Sequence, residues 1–289
     1  MKRALYAIAI VLVVAGVTSA QTGMKKKRPL PYEYGRVVIS NYSEKAGLAP
    51  VVFDHWLHRA KFTCRLCHVD IGFSMKAGAT GIKASDNMNG YYCGACHNGK
   101  MISDTKKVFE SCGKLMISQD WANCFRCHSL GKKVKPEYDF NHFTKNFPKG
   151  RFGNGVDWEK AKKDRLIRPV DFLEGISIQR KSISEQKDFG QGAKVEGRPD
   201  VVFGYTMETR QAFRGAGMEG RPDVIFSHEK HIVWNGCELC HPKIFKDVKK
   251  GASKYTMVDI FEGKSCGVCH TTVAFPLLDC QRCHIKPIQ

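Results

Sequence analysis

After residue 17 the sequence has no apolar run long enough to cross a bilayer, so no transmembrane anchor is expected. Acidic residues are scarce. There are 28 Asp and Glu against 46 Lys and Arg, a formal net charge of +18. Residues 147–221 contain neither Cys nor His and are rich in Gly, Pro and charge. No catalytic motif stands out anywhere. What is abundant is cysteine, thirteen in all, and the eleven histidines keep close company with it.

The N-terminus reads as a secretory leader over residues 1–20. Lys2 and Arg3 are basic, Ala4 to Val17 is apolar, and Thr18-Ser19-Ala20 offers a small-residue cleavage site. No Cys follows it, so a lipid anchor is not expected. The predicted mature protein is exported, to the periplasm or beyond, and soluble. The Lys- and Pro-rich residues 21–35 are expected to be a mobile arm within an N-terminal segment, 21–49.

Twelve cysteines fall into six copies of C-x-x-C-H. The pairs are Cys64 and Cys67, Cys93 and Cys96, Cys124 and Cys127, Cys237 and Cys240, Cys266 and Cys269, and Cys280 and Cys283. They are followed by His68, His97, His128, His241, His270 and His284 respectively. This is the attachment signature of a c-type haem. Two thiols bond the porphyrin, and the adjacent His reaches iron from one side. A disulfide framework does not require a His after every second Cys. A zinc site wants paired C-x-x-C units or separate His pairs. The expected cofactors are therefore six haem c groups, and their covalent attachment agrees with export.

The chain repeats itself at an offset of 173 residues. His55 and His58 before Cys64 recur as His228 and His231 before Cys237, and Cys93 recurs as Cys266. The third motifs break the offset. Cys124 lies 31 residues after Cys93, but Cys280 lies only 14 after Cys266, so the first half carries an insertion, which includes the odd Cys112. Two units follow, 50–146 and 222–289, joined by a haem-free connector, 147–221. A short helix is predicted around 156–166, with Asp157 or Asn154 at its start. Glu196–Phe203 repeats Glu219–Phe226 and predicts a strand that packs like its copy without binding haem. With fewer than 100 residues per three haems, the rings themselves are expected to be the core. The predicted fold is mostly irregular, with short α-helices and few strands.

Six haems with two axial ligands each need twelve ligands. The motifs supply six, and His55, His58, His142, His228 and His231 supply five. The remaining candidate is Met257, nine residues before Cys266, whose thioether can bind haem iron. Its counterpart in the first half is Ala84, so His142, with Met88 as the weaker rival, is expected to serve there. Cys112 is expected to be an inert thiol.

This pattern, Phe53-x-His55-x-x-His58 followed by three C-x-x-C-H motifs and then repeated from Phe226, resembles the triheme cytochromes of the cytochrome c-seven class, relatives of cytochrome c-three. The resemblance implies two triheme units. It also implies axial pairs His55 with His68, His58 with His128, His228 with His241, and His231 with His284. Multidomain members of the class imply Met257 opposite His270, while Ala84 leaves the partner of His97 in doubt.

The expected function is electron transfer between redox partner proteins, with the basic surface suited to acidic partners and no role for nucleic acid. The class implies a setting in anaerobic respiration, between inner-membrane quinol oxidation and the outer membrane. Two alternatives remain. One is a multihaem reductase with an open iron site at His97 or His270. The other is a subunit of an extracellular cytochrome filament.

Overall fold

The computed structural model describes residues 28–103, 105–112, 123–128, 136–169, 201–203, 223–246, 253 and 255–286. The expected leader and most of the expected connector lie outside these residues. Among those described, no helix is long and apolar enough to cross a membrane.

Regular structure is sparse and the elements are short. Strand β1 (Arg36–Ile39) pairs antiparallel with β2 (Val51–Asp54), and Val37 faces Phe53. Helix α1 (His55–Arg59) follows directly. Helix α2 (Ala84–Met88) precedes the second motif. A small hairpin, β3 (Ile102–Ser103) with β4 (Lys106–Lys107), lies within the insertion. Then come α3 (Cys124–Cys127), α4 (Pro136–Thr144) and α5 (Trp158–Lys163). Strand β5 (Val201–Phe203) pairs antiparallel with β6 (Asp223–Phe226), and helix α6 (His228–Asn235) follows. Helices α7 (Met257–Phe261) and α8 (Gly267–His270) end near the last strand, β7 (His284–Lys286), which pairs with β6.

The 173-residue repeat is written into the backbone. Val37 opposite Phe53 becomes Val201 opposite Phe226 in the same register. Val201–Phe203, the end of the first copy of the small Glu-Gly-Arg-Pro repeat, therefore takes the place of β1. It pairs with the second copy, where the sequence predicted only that it would pack like it. Tyr92 and Ser265, each just before a second-motif Cys, share φ values of 48° and 49°. A Cβ on Gly94 would lie 1.9 Å from the Asn87 carbonyl oxygen, and one on Gly267 would lie 1.9 Å from that of Ile260. Only glycine lets the second motif press so closely on the helix before it.

Helix α5 starts where the sequence predicted. The Asp157 carboxylate accepts the Lys160 N–H at 2.9 Å and caps the helix. Asn154 Oδ1 accepts the Trp158 indole N–H at 3.1 Å.

Two expectations need correction. An ordinary core does exist beside the motif-bearing segments. Trp56, Ala60, Phe140, Val156, Trp158, Ala161 and Ile167 cluster, with Tyr32, Phe143, Phe147 and Trp234 against them. The cluster draws on residues far apart in sequence, and Trp56, Phe143, Val156, Trp158 and Trp234 also line the cavity between the motifs. Nor is the whole of the expected arm mobile. Tyr34 is buried, and Arg28 pairs with the buried Asp279 of the second unit, which also accepts the Gly153 N–H. Residues 21–27 lie outside the described residues.

Candidate functional site

A single cavity of about 2040 Å³ runs between the motif-bearing segments. Sites for one small molecule usually occupy about 300–1,000 Å³, so there is room here for several. Its walls include His55, His58, His68, His97, His231 and His270, with Cys64, Cys67, Cys93, Cys96, Cys127, Cys240, Cys266, Cys269 and Cys283.

Those six histidines stand as three pairs. The ring centroids of His55 and His68 are 6.4 Å apart, those of His58 and His97 are 6.3 Å apart, and those of His231 and His270 are 6.2 Å apart. Rings this far apart do not touch. Nitrogen-to-metal bonds are about 2 Å long, so two imidazoles on opposite sides of one iron have centroids roughly 6 Å apart. The spacing fits an iron between each pair.

Ring orientation comes from the backbone. In seven histidines Nδ1 meets a main-chain carbonyl: His55 with Gly35 (2.6 Å), His58 with Asp54 (3.3 Å), His68 with Phe73 (3.0 Å), His97 with Phe109 (3.3 Å), His128 with Ala49 (2.7 Å), His231 with Ser227 (2.8 Å) and His241 with Phe245 (2.9 Å). A carbonyl can only accept, so Nδ1 carries the proton and Nε2 keeps its lone pair. Burial pushes His55, His58 and His270 down to about 4 and also lowers His68, His97 and His231. These rings are therefore neutral at pH 7, the form that binds iron.

Aromatic backing repeats between the halves. Phe53 lies edge-on to His55 and alongside His58, at 4.8 and 4.3 Å, and Phe226 treats His228 and His231 the same way, at 5.0 and 4.2 Å. His97 packs on Phe109 and His270 on Phe275. Arg126 and Arg282, each third in the last motif of its unit, lie over those two rings at 3.7 and 4.8 Å. The carbonyls, Phe109, Phe275 and these arginines had no sequence signal. Phe109 and Phe275 fall at different distances from their motifs because seven insertion residues intervene in the first unit.

The pairing differs from what the resemblance implied. His58 faces His97, not His128, and His231 faces His270, not His284. The last motif of each unit folds back to the start of the strand that leads into the His pair. His128 meets Ala49 just before β2, and His284 is registered with Val224 in β6. That leaves the second-motif histidines beside His58 and His231. His228 Nδ1 has no hydrogen-bond partner among the described residues. His142 is exposed on α4, Met88 is exposed on α2, and Met257 is half-buried at the start of α7; none of the three lines the cavity.

The thiols are held apart from one another. No disulfide forms among the cysteines, and no three His, Cys, Asp or Glu side chains among the described residues converge to hold a bare metal ion. Burial raises Cys67, Cys93 and Cys269 to about 12, so as free thiols they stay protonated at pH 7. Cys112 is half-buried, raised by burial, and accepts weakly from Asn87 at 3.8 Å.

The family model for cytochrome c7 and related cytochrome c matches residues 51–129 and 224–285. A c7-type three-haem cytochrome domain of known structure is 35% identical, over 32% of this chain and 98% of its own, with a TM-score of 0.25. This chain belongs to the cytochrome c7 family. The C-terminal hexahaem fragment of GSU1996 is 24% identical, covers 86% of this cytochrome and 96% of itself, and gives a TM-score of 0.24. The N-terminal hexahaem fragment of GSU1996 is 22% identical over 86% of this cytochrome and 98% of itself, with a TM-score of 0.23. No curated protein matches. The cytochrome is a multihaem electron-transfer protein of the c7 type.

Proposed function

We propose that the cytochrome carries six haem c groups on two triheme units and passes electrons between exported redox partners in anaerobic respiration. The observation that carries this reading is the set of three histidine pairs 6.2–6.4 Å apart along one cavity. Bound haem supplies a one-electron iron couple, tuned by its axial ligands and burial. The chain would hold each group by two thioethers, and backbone carbonyls orient seven of the imidazoles that face the irons. It excludes water with Phe53, Phe109, Phe226 and Phe275.

We assign the axial pairs as His55 with His68, His58 with His97, and His231 with His270. The repeat adds His228 with His241. His142 and Met257 then remain for His128 and His284, one in each unit. In this arrangement the open site of a reductase would lie at His128 or His284. It would not lie at His97 or His270, where partner rings stand opposite. Residues 1–20 are proposed to direct export. The basic surface is proposed to dock acidic partners, since opposite charge speeds encounter.

Intact-mass measurement of the matured protein should give the chain without residues 1–20 plus six haem masses. The oxidised spectrum should be low-spin and unmoved by cyanide or nitrite. A stoichiometric high-spin signal that shifts with nitrite would favour a reductase.

A further inference from the structure

The first motifs of the two units face each other. Arg65, inside Cys64–His68, reaches Glu238, inside Cys237–His241, at 3.4 Å. These are equivalent positions of the repeat, exactly one offset apart in the sequence. A symmetric contact between identical units would set like charges together. Here one position is Arg and the other Glu. The neighbouring equivalents, Leu66 and Leu239, are both buried.

The approach is built into the backbone. Gly236 has φ +64°, and a Cβ there would lie 2.8 Å from Arg65 Cδ and 2.6 Å from Glu238 Oε2. Its equivalent in the first unit is Thr63. Arg65 is also held by Asp70 at 2.6 Å. The Arg65 and Glu238 side chains keep only 26% and 20% of their exposure, so solvent screens the pair weakly. Cys64 lies near enough to Cys240 and Cys269 to add to the burial that raises their thiols.

We propose that Arg65 and Glu238 form one electrostatic element shared by the first haem site of each unit, so that the two sites are poised together. The inference rests on haem attachment at both motifs, as proposed above. Neither residue bonds haem or iron; both act as positioning charges.

The test is an NMR-followed redox titration of the full-length, haem-loaded protein. Removing a negative charge favours the electron-rich state. Glu238→Gln should raise the midpoints of two haems, one in each unit. Arg65→Gln should lower the midpoints of the same two. Glu238→Asp should keep both close to the parent values, which separates charge from packing. If each neutral variant moves only the haem of its own motif, or moves none, the shared element does not exist. If intact mass shows no haem on Cys64 or Cys237, it is the proposed function that fails instead.

Discussion

At the scale of single residues, burial keeps His55, His58, His68, His97, His231 and His270 neutral, and a main-chain carbonyl aims seven of the imidazoles. This has a pH consequence with a definite sign. The folded values of His55, His58 and His270 lie near 4, below the ordinary 6.5. The unfolded chain therefore binds more protons between those values, and stability rises with pH. For the free rings the contribution is complete above pH 6.5 and is lost as pH falls through 4; iron on Nε2 must be displaced before a ring can protonate, which moves the loss further to the acid side. Thermal unfolding of the holoprotein should show Tm falling on acidification, with high-spin haem appearing at the acid end. A Tm that is flat or rises on acidification would contradict this. A second residue-scale prediction concerns Gly94 and Gly267. Alanine at either would clash with a backbone carbonyl that cannot rotate away. Gly267→Ala should cost roughly 1–3 kcal/mol and lower the yield of protein carrying all haems, as read by intact mass. The six C-x-x-C-H motifs were legible in the sequence because thioether attachment would demand a fixed local spacing. The carbonyl partners were not, since any backbone can offer one.

At the scale of elements, the repeat was legible and the pairing was not. His55 and His58 are three apart, on one turn of α1, yet they face His68 and His97. A local pattern shows that two rings leave the same turn. It does not show which distant motif folds to meet each one. That depends on where the last motif returns, and β7 and the Ala49 carbonyl set this through contacts far apart in sequence. The insertion is likewise visible as a length difference, but its β3–β4 hairpin is only two residues per strand and carries no periodic signal. Helix α7 marks the main chemical difference between the halves, with Met257 where α2 has Ala84. A neutral thioether favours ferrous iron relative to imidazole. Met257→His should lower the potential of one haem and abolish any sulfur-to-iron band at the red edge of the ferric spectrum. Met88→Ala should leave that band unchanged. If Met257→Ala alters neither spectrum nor potential, Met257 is a packing residue.

At the scale of the whole molecule, the two units share a core. The Arg59 guanidinium lies between the rings of Trp158 and Trp234, at 4.9 and 5.3 Å, bridging helix α1, the connector and helix α6. Trp56 packs edge-on to Phe140 beside it. Composition pointed to a polar, Gly-rich connector because its aromatics are few and widely spaced; only their convergence makes a core. Trp158→Ala should cost about 3–5 kcal/mol, seen as a lower Tm in protein that still carries its full haem complement. Loss of haem with no change in Tm would place Trp158 in a haem site instead. The proposed function requires a single chain to store and return electrons at six iron centres. Coulometric titration of the purified holoprotein measures that number directly. It should take up six electrons per chain and return all six on reoxidation. Five or fewer electrons, or uptake that does not reverse, would contradict it.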